Sequence, residues 1–103
     1  MISSPNYPGN YPSNTNCNWT IEVPEGFTVS LQFNDFLIEP TSSCYYDYIK
    51  VFDGPNQDGS FLGKYCRTGP LEKISSIGNV MFISMTSDAG LEYSGFNATF
   101  SKG

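Results

Sequence analysis

Apolar side chains recur at every second position in run after run of this chain, and that period of two decides what it can fold into. Trp19, Ile21 and Val23 alternate with polar neighbours, Val29, Leu31 and Phe33 alternate with Ser30 and Gln32, and Phe96, Ala98 and Phe100 repeat the pattern near the end. A period of two places one set of side chains on one face of a strand, so each run reads as a half-buried strand. Pro24-Glu25-Gly26 turns the first run into the second, and these two are expected to form a meander. Tyr46 to Phe52 is a further strand, in which Tyr46 and Tyr48 alternate with Asp47 and Ile49, closed by the Asp53-Gly54-Pro55 turn. A shorter strand follows around Phe61 to Cys66. From Asn79 to Thr86 nearly every position is apolar, which fits a central strand covered on both faces or one with a small exposed side. Ser3 to Thr15, rich in Pro, Asn, Gly and Ser, has no alternation and reads as an extended, turn-rich lead-in. Seven or more short strands with closely spaced turns give an all-β sandwich or barrel.

Composition narrows the function. A chain of 103 residues suits one domain, and the ten Gly and seven Pro favour turns over long helices. Ten acids stand against five Lys and Arg, for a net charge of −5, which disfavours nucleic acid and other polyanions and leaves a cation or a basic protein surface open. No apolar run approaches the length that spans a bilayer, so membrane insertion is not expected. With no His, zinc-finger spacing and Cys/His catalysis both fail, and no convincing nucleophile or phosphate loop replaces them. Paired carboxylates such as Glu39 and Asp47 have glycosidase chemistry in principle, but no substrate cleft is evident. The chain is read as not an enzyme.

Three cysteines, Cys17, Cys44 and Cys66, are best read as disulfide-forming. The sequons Asn18-Trp19-Thr20 and Asn97-Ala98-Thr99 agree with a secretory route. Asn18 and Asn97 sit beside inward-facing Trp19 and Phe96, so both are expected to point outward and be open to glycosylation. The odd cysteine needs an account: the opening Met1-Ile2-Ser3-Ser4-Pro5 looks like the middle of a domain, and a partner for Cys17 is expected upstream of residue 1. A free buried thiol or an intermolecular bridge is the alternative. An immunoglobulin sandwich places its Trp well downstream of the first Cys, whereas Cys17 and Trp19 share one face of one strand.

Several clusters in order resemble the CUB domain family. They are Ser4-Pro5-Asn6-Tyr7-Pro8 with Tyr11-Pro12, Cys17-Asn18-Trp19, Pro24-Glu25-Gly26, Phe33 through Glu39, and Cys44-Tyr45-Tyr46-Asp47-Tyr48. Val51-Phe52-Asp53-Gly54, Leu62-Gly63 before Cys66, Ser87-Asp88 and Gly95-Phe96 complete the series, so the likeness spans nearly the whole chain. The resemblance implies one CUB domain over 1–103, a jelly-roll-like sandwich of two antiparallel sheets with a Cys44 to Cys66 bridge. It also implies that the cysteine before the Trp pairs with one near the N-terminus of the domain, which this chain lacks. Loss of such a bridge typically costs about 2–5 kcal/mol.

For the calcium-binding branch of the family, the resemblance implies Ca2+ ligation by Glu39, Asp47 and Asp88, support from Tyr11, and a main-chain carbonyl near Gly90. Where many such domains carry Ser and Asn after the last Asp, this chain has Ala89-Gly90-Leu91, which removes a side-chain ligand. The residues also argue for themselves. Glu39 ends one strand, Asp47 opens the next and Asp88 begins a loop, so the three acids can meet at one end of a sandwich. Calcium takes six to eight oxygen ligands and tolerates irregular loops. Spacing alone equally allows three ordinary solvated loop acids. In related domains the calcium-ordered carboxylates also accept a Lys or Arg from a protein partner. The expected function is therefore a calcium-dependent protein-binding module of a secreted or extracellular mosaic protein, with Glu39, Asp47 and Asp88 at the contact. The alternatives are a glycan-binding domain using Tyr45, Tyr65 and Tyr93, or a structural spacer with calcium used only for loop stability. The upstream-partner reading of Cys17 is testable. A thiol titration of the denatured monomer should count one thiol per chain, and a count of zero would refute it.

Overall fold

The computed structural model describes residues 2–38, 46–67, 69, 72–88, 90 and 93–102. Eight strands form among them: β1 (Ile2–Ser3), β2 (Asn16–Glu22), β3 (Val29–Leu37), β4 (Tyr48–Asp53), β5 (Ser60–Tyr65), β6 (Ile74–Ser75), β7 (Val80–Thr86) and β8 (Gly95–Lys102). They build two four-stranded antiparallel sheets, in the orders β1-β8-β3-β6 and β2-β7-β4-β5. No helix occurs among the described residues.

The two sheets face each other across a core supplied by the alternating positions. Ile21, Ile49, Val51, Met81, Ile83 and Met85 point inward from one sheet, and Val29, Leu31, Phe33, Phe36, Phe96 and Ala98 from the other. Edge-to-face rings bind the middle, with Trp19 and Phe33 at 5.3 and 5.5 Å from Phe96. In β4 the inward set is Asp47, just before the strand, then Ile49 and Val51, while Tyr46 and Tyr48 turn outward. The apolar β7 is central, paired on both sides, with Val80, Phe82, Ser84 and Thr86 half-buried on its outer face.

The expected meander of the first two runs is overturned. β2 pairs with β7, and β3 pairs with β8 and β6, so the Pro24-Glu25-Gly26 turn crosses between sheets. A period of two sets which face is buried but not which strand lies alongside, and both partners here are remote in sequence. β3 also carries a bulge. Phe33 pairs with Ala98 and Asp35 with Asn97, leaving Asn34 extra and bringing both Phe33 and Phe36 inward, their rings 5.0 Å apart. The lead-in is anchored rather than loose. Ser4 Oγ accepts the Phe96 N–H at 3.0 Å, Tyr11 N–H bonds the Tyr93 carbonyl, and Gly95, at φ +81, leaves no room for a methyl beside Ser4.

Cys17 is half-buried with a free thiol, whereas Cys66 is buried and disulfide-bonded. Cys44 lies outside the described residues. Ile83 is fully buried at the centre of β7 and pairs with both Trp19 and Val51. Ile83→Ala should therefore destabilise the domain by about 2–5 kcal/mol in equilibrium denaturation, without a change in the folded circular dichroism spectrum.

Candidate metal and partner site

At one end of the sandwich three segments converge on a single carboxylate. Asp47 is fully buried because it is in phase with Ile49 and Val51, so the same alternation that buries the core carries an acid inward. Its Oδ2 accepts the Tyr11 hydroxyl at 2.5 Å, and its Oδ1 accepts the Asp88 N–H at 2.9 Å. Tyr11, itself buried, comes from the lead-in, and Asp88 from the loop that follows β7. Burial pushes the Asp47 carboxyl above its ordinary value, and the neighbouring Asp88 side chain pushes it further. The bonds from Tyr11 and from the Asp88 N–H oppose the rise.

Further hydrogen bonds hold the two loops in register. Asn14 N–H bonds the Asp88 carbonyl at 2.9 Å, and Ser87 N–H bonds the Thr15 carbonyl at 2.9 Å. In return, Thr15 N–H bonds Ser87 Oγ at 2.8 Å, and Ser87 Oγ donates to the Pro12 carbonyl at 2.9 Å. Asn14 sits at φ 55, a left-handed conformation that Asn adopts more readily than most residues. The sequence reading gave Asn14 and Thr15 no role, and it placed Ser87 only beside Asp88 in the CUB-like series. Small polar residues in a turn-rich stretch carry no signal for a partner some seventy positions away.

Asp88 is turned by a local bond, its Oδ1 accepting the Gly90 N–H at 2.9 Å. Asp47 and Asp88 are thus brought together, with Tyr11 behind Asp47 and Gly90 against Asp88. Glu39 lies outside the described residues. Among the described residues no group of three or more His, Cys, Asp or Glu gathers to hold a metal. The donor set nevertheless suits a hard cation: a carboxylate whose pKa burial raises, beside a second carboxylate held by fixed loops. Tyr46, adjacent to Asp47 and 49% exposed, stands at the surface next to this pair.

Two of the tyrosines expected to serve sugars are drawn into the core instead. Tyr65 and Tyr93 are half-buried and pack against the core, because Tyr65 fills the inner side of an edge strand and Tyr93 flanks the lead-in. Tyr45 lies outside the described residues. Asn18 is exposed, and Asn97 is half-buried with its Oδ1 accepting Asn34 Nδ2 at 3.1 Å.

Two predictions follow from the geometry at Asp47. Tyr11→Phe keeps the buried ring but removes the donor from Asp47 Oδ2. It should cost about 1–3 kcal/mol, read as a fall in the denaturation midpoint. The pH dependence has a definite sign. The folded carboxyl titrates above the ordinary 3.8, so between the two values the native state holds a proton that the unfolded chain has lost. The contribution of Asp47 therefore favours folding in acid and is lost as pH rises through the folded value. In chelator, the stability of the native protein relative to Asp47→Asn should decline as pH rises upward from about 4.

With this geometry in place, comparison with known proteins gives a consistent result. The family model for the CUB domain matches residues 1–100. Embryonic protein UVS.2 of Xenopus laevis is 47% identical over 96% of the chain, and Tolloid-like protein 2 of Mus musculus is 41% identical over 99%. The chain spans only 19% and 10% of the lengths of these two proteins. The solved CUB1-EGF-CUB2 region of human MASP-1/3 superposes with a TM-score of 0.87 at 34% identity, over 98% of this chain and 40% of that one. A crystal structure of the MASP-1 CUB2 domain bound to Ca2+ superposes with a TM-score of 0.82 at 37% identity, over 96% of this chain and 88% of that one.

Proposed function

The chain belongs to the CUB domain family, and from that premise we propose that it is a non-catalytic, extracellular protein-binding module whose contact surface is ordered by Ca2+ at Asp47, Asp88 and Glu39. The observation that carries this reading is the buried Asp47 carboxylate with Asp88 against it. Two acids that repel one another out of water are stable together only at a cost, and a divalent cation with oxygen preference removes it. The fit of the fold to a calcium-bound CUB domain supports the same ion. Tyr11 positions Asp47, and the carbonyl of Gly90 is a further ligand at the loop that already wraps Asp88.

Once the ion is held, the carboxylates retain negative charge at a rigid surface edge. A Lys or Arg of a partner at about 4 Å gains up to about 4 kcal/mol of Coulomb energy at an effective dielectric near 20, before desolvation is subtracted. The exposed Tyr46 ring beside the site offers apolar contact to the stem of such a side chain. The overall charge of −5 favours a basic partner on approach. The spacer reading differs only in this last step, since it keeps the ion and lacks the partner.

Extracellular calcium modules have dissociation constants of about 0.1–1 mM, so about 5 mM calcium should stabilise the domain by about 1–2 kcal/mol. For a domain of this size that is a rise in melting temperature of several degrees over the chelated protein, and Asp88→Ala should abolish it. On an array of peptides bearing Lys and Arg, binding should appear in calcium, vanish in chelator and be absent in Asp88→Ala. A calcium-dependent melt with no calcium-dependent peptide binding would favour the spacer.

A further inference from the structure

The outer faces of the two sheets differ in chemistry. On β3 and β8 the outward positions Ser30, Gln32, Asn97, Thr99 and Ser101 are polar. On the other sheet, the strand register lays three rows across the strands. Asn16, Thr86 and Tyr48 form one row, Asn18, Ser84, Lys50 and Lys64 the next, and Thr20, Phe82, Phe52 and Phe61 the third. Ser84 is small and lies between rows that carry rings, so the face is hollowed along the middle row. The result is an open groove of about 540 Å3, lined by Asn18, Ser84 and Thr86 with Tyr48, Phe52 and Phe82. The Phe52 and Phe82 rings lie 6.2 Å apart on one wall. On the other wall, the ammonium groups of Lys50 and Lys64 lie 5.2 and 4.4 Å from the Tyr48 ring centre.

Asn18 is exposed on β2, an edge strand of this sheet, and its side chain is part of the groove lining. It is also the acceptor of the sequon Asn18-Trp19-Thr20. A sugar attached there begins at the lip of the groove, opposite Ser84 and diagonal to Phe82. Rings for the C–H face of a pyranose, together with amides and hydroxyls for its acetamido and hydroxyl groups, form the lining that a saccharide needs. The covalent tether keeps the sugar at high local concentration, so weak contacts suffice to hold it.

We propose that an N-linked glycan on Asn18 lies down in this groove, with its first N-acetylglucosamine over Ser84 and against Phe82, and that it stabilises the sheet as an added outer layer. The proposal rests on use of the secretory route and is independent of the calcium site. Asn97 supplies the internal contrast. Its amide oxygen accepts Asn34 Nδ2 on the polar outer face of the other sheet, where the outward strand positions Ser30, Gln32, Thr99 and Ser101 supply no rings to wall a groove, so a glycan there is expected to extend into solvent.

The test uses the full chain secreted from a glycosylating host, as an Asn97→Gln variant carrying sugar only at Asn18. Its unglycosylated twin of the same sequence is refolded with the disulfide formed. The glycosylated form should melt about 4 °C or more above its twin and should keep that gain when an endoglycosidase trims the glycan to one N-acetylglucosamine. Nuclear Overhauser effects should connect the N-acetyl methyl group to Phe82, and Phe82→Thr should remove the gain. In a Thr20→Ala variant carrying sugar only at Asn97, glycosylation should leave the melting temperature unchanged relative to its twin. An unmodified Asn18, or a modified Asn18 with equal melting temperatures and no contacts to Phe82, would overturn the proposal.

Discussion

The buried carboxylate of Asp47 is the point on which one end of the molecule is assembled. Its two oxygens take a hydroxyl from the lead-in and an N–H from the loop after β7, so three segments far apart in sequence meet on one side chain. An isolated buried polar group is unstable, and in this domain it is satisfied by groups that the lead-in and the loop after β7 supply. The loops beside it are cross-tied by Asn14, Thr15 and Ser87, which fixes Asp88 relative to Asp47 before any ligand arrives. Preorganisation of this kind lowers the ordering cost of binding, whether the ligand is an ion or a protein side chain.

The sandwich behind the site supplies the rigidity. Inward positions of both sheets interlock through aliphatic and ring contacts, with Phe96 touching rings from β2 and β3. Because β7 is paired on both sides, and β4 beside it is paired to β5 as well, the ends of β7 and β4 cannot drift independently. Those are the ends from which Asp88 and Asp47 project. Core packing and site geometry are therefore one property here: a void beside Ile49 or Met85 would be felt at the carboxylates two or three residues away.

Much of this was legible in the residues. Alternation located the long strands, since burial of one face imposes it directly, but it began β2 at Trp19 rather than Asn16 and stopped β3 at Phe33 rather than Leu37. Neighbour choice was not legible: β2 and β3 follow one another through a clear turn yet join different sheets, because a hydrophobic period encodes the face and not the partner. The bulge at Asn34 was hidden as well, since two polar residues between Phe33 and Phe36 break the period in the same way that a strand end would. At the site, the phase of Asp47 with Ile49 and Val51 carried a readable signal of burial. The hydrogen bond from Tyr11 did not, because its lead-in has no periodicity and only the likeness to CUB domains pointed to it. Tyr65 and Tyr93 misled for the opposite reason: a tyrosine that fills an edge of the core has the same composition signature as one that greets a ligand.

Function is divided between surfaces that the fold keeps apart by chemistry. The loop end gathers the Asp47 and Asp88 carboxylates beside an exposed tyrosine, and the recognition proposed there is electrostatic and dependent on an ion. The outer face of β2-β7-β4-β5 presents rings with amides and hydroxyls, and two of the five basic residues of the chain lie on Tyr48 there. Held against that ring, the Lys50 and Lys64 ammonium groups lie over the outer face of the sheet. The strands that carry this groove are the same strands whose ends carry Asp47 and Asp88. A layer added to the outer face would thus stiffen the supports of the site without occupying it, and the two surfaces would be linked through the strands rather than through competition.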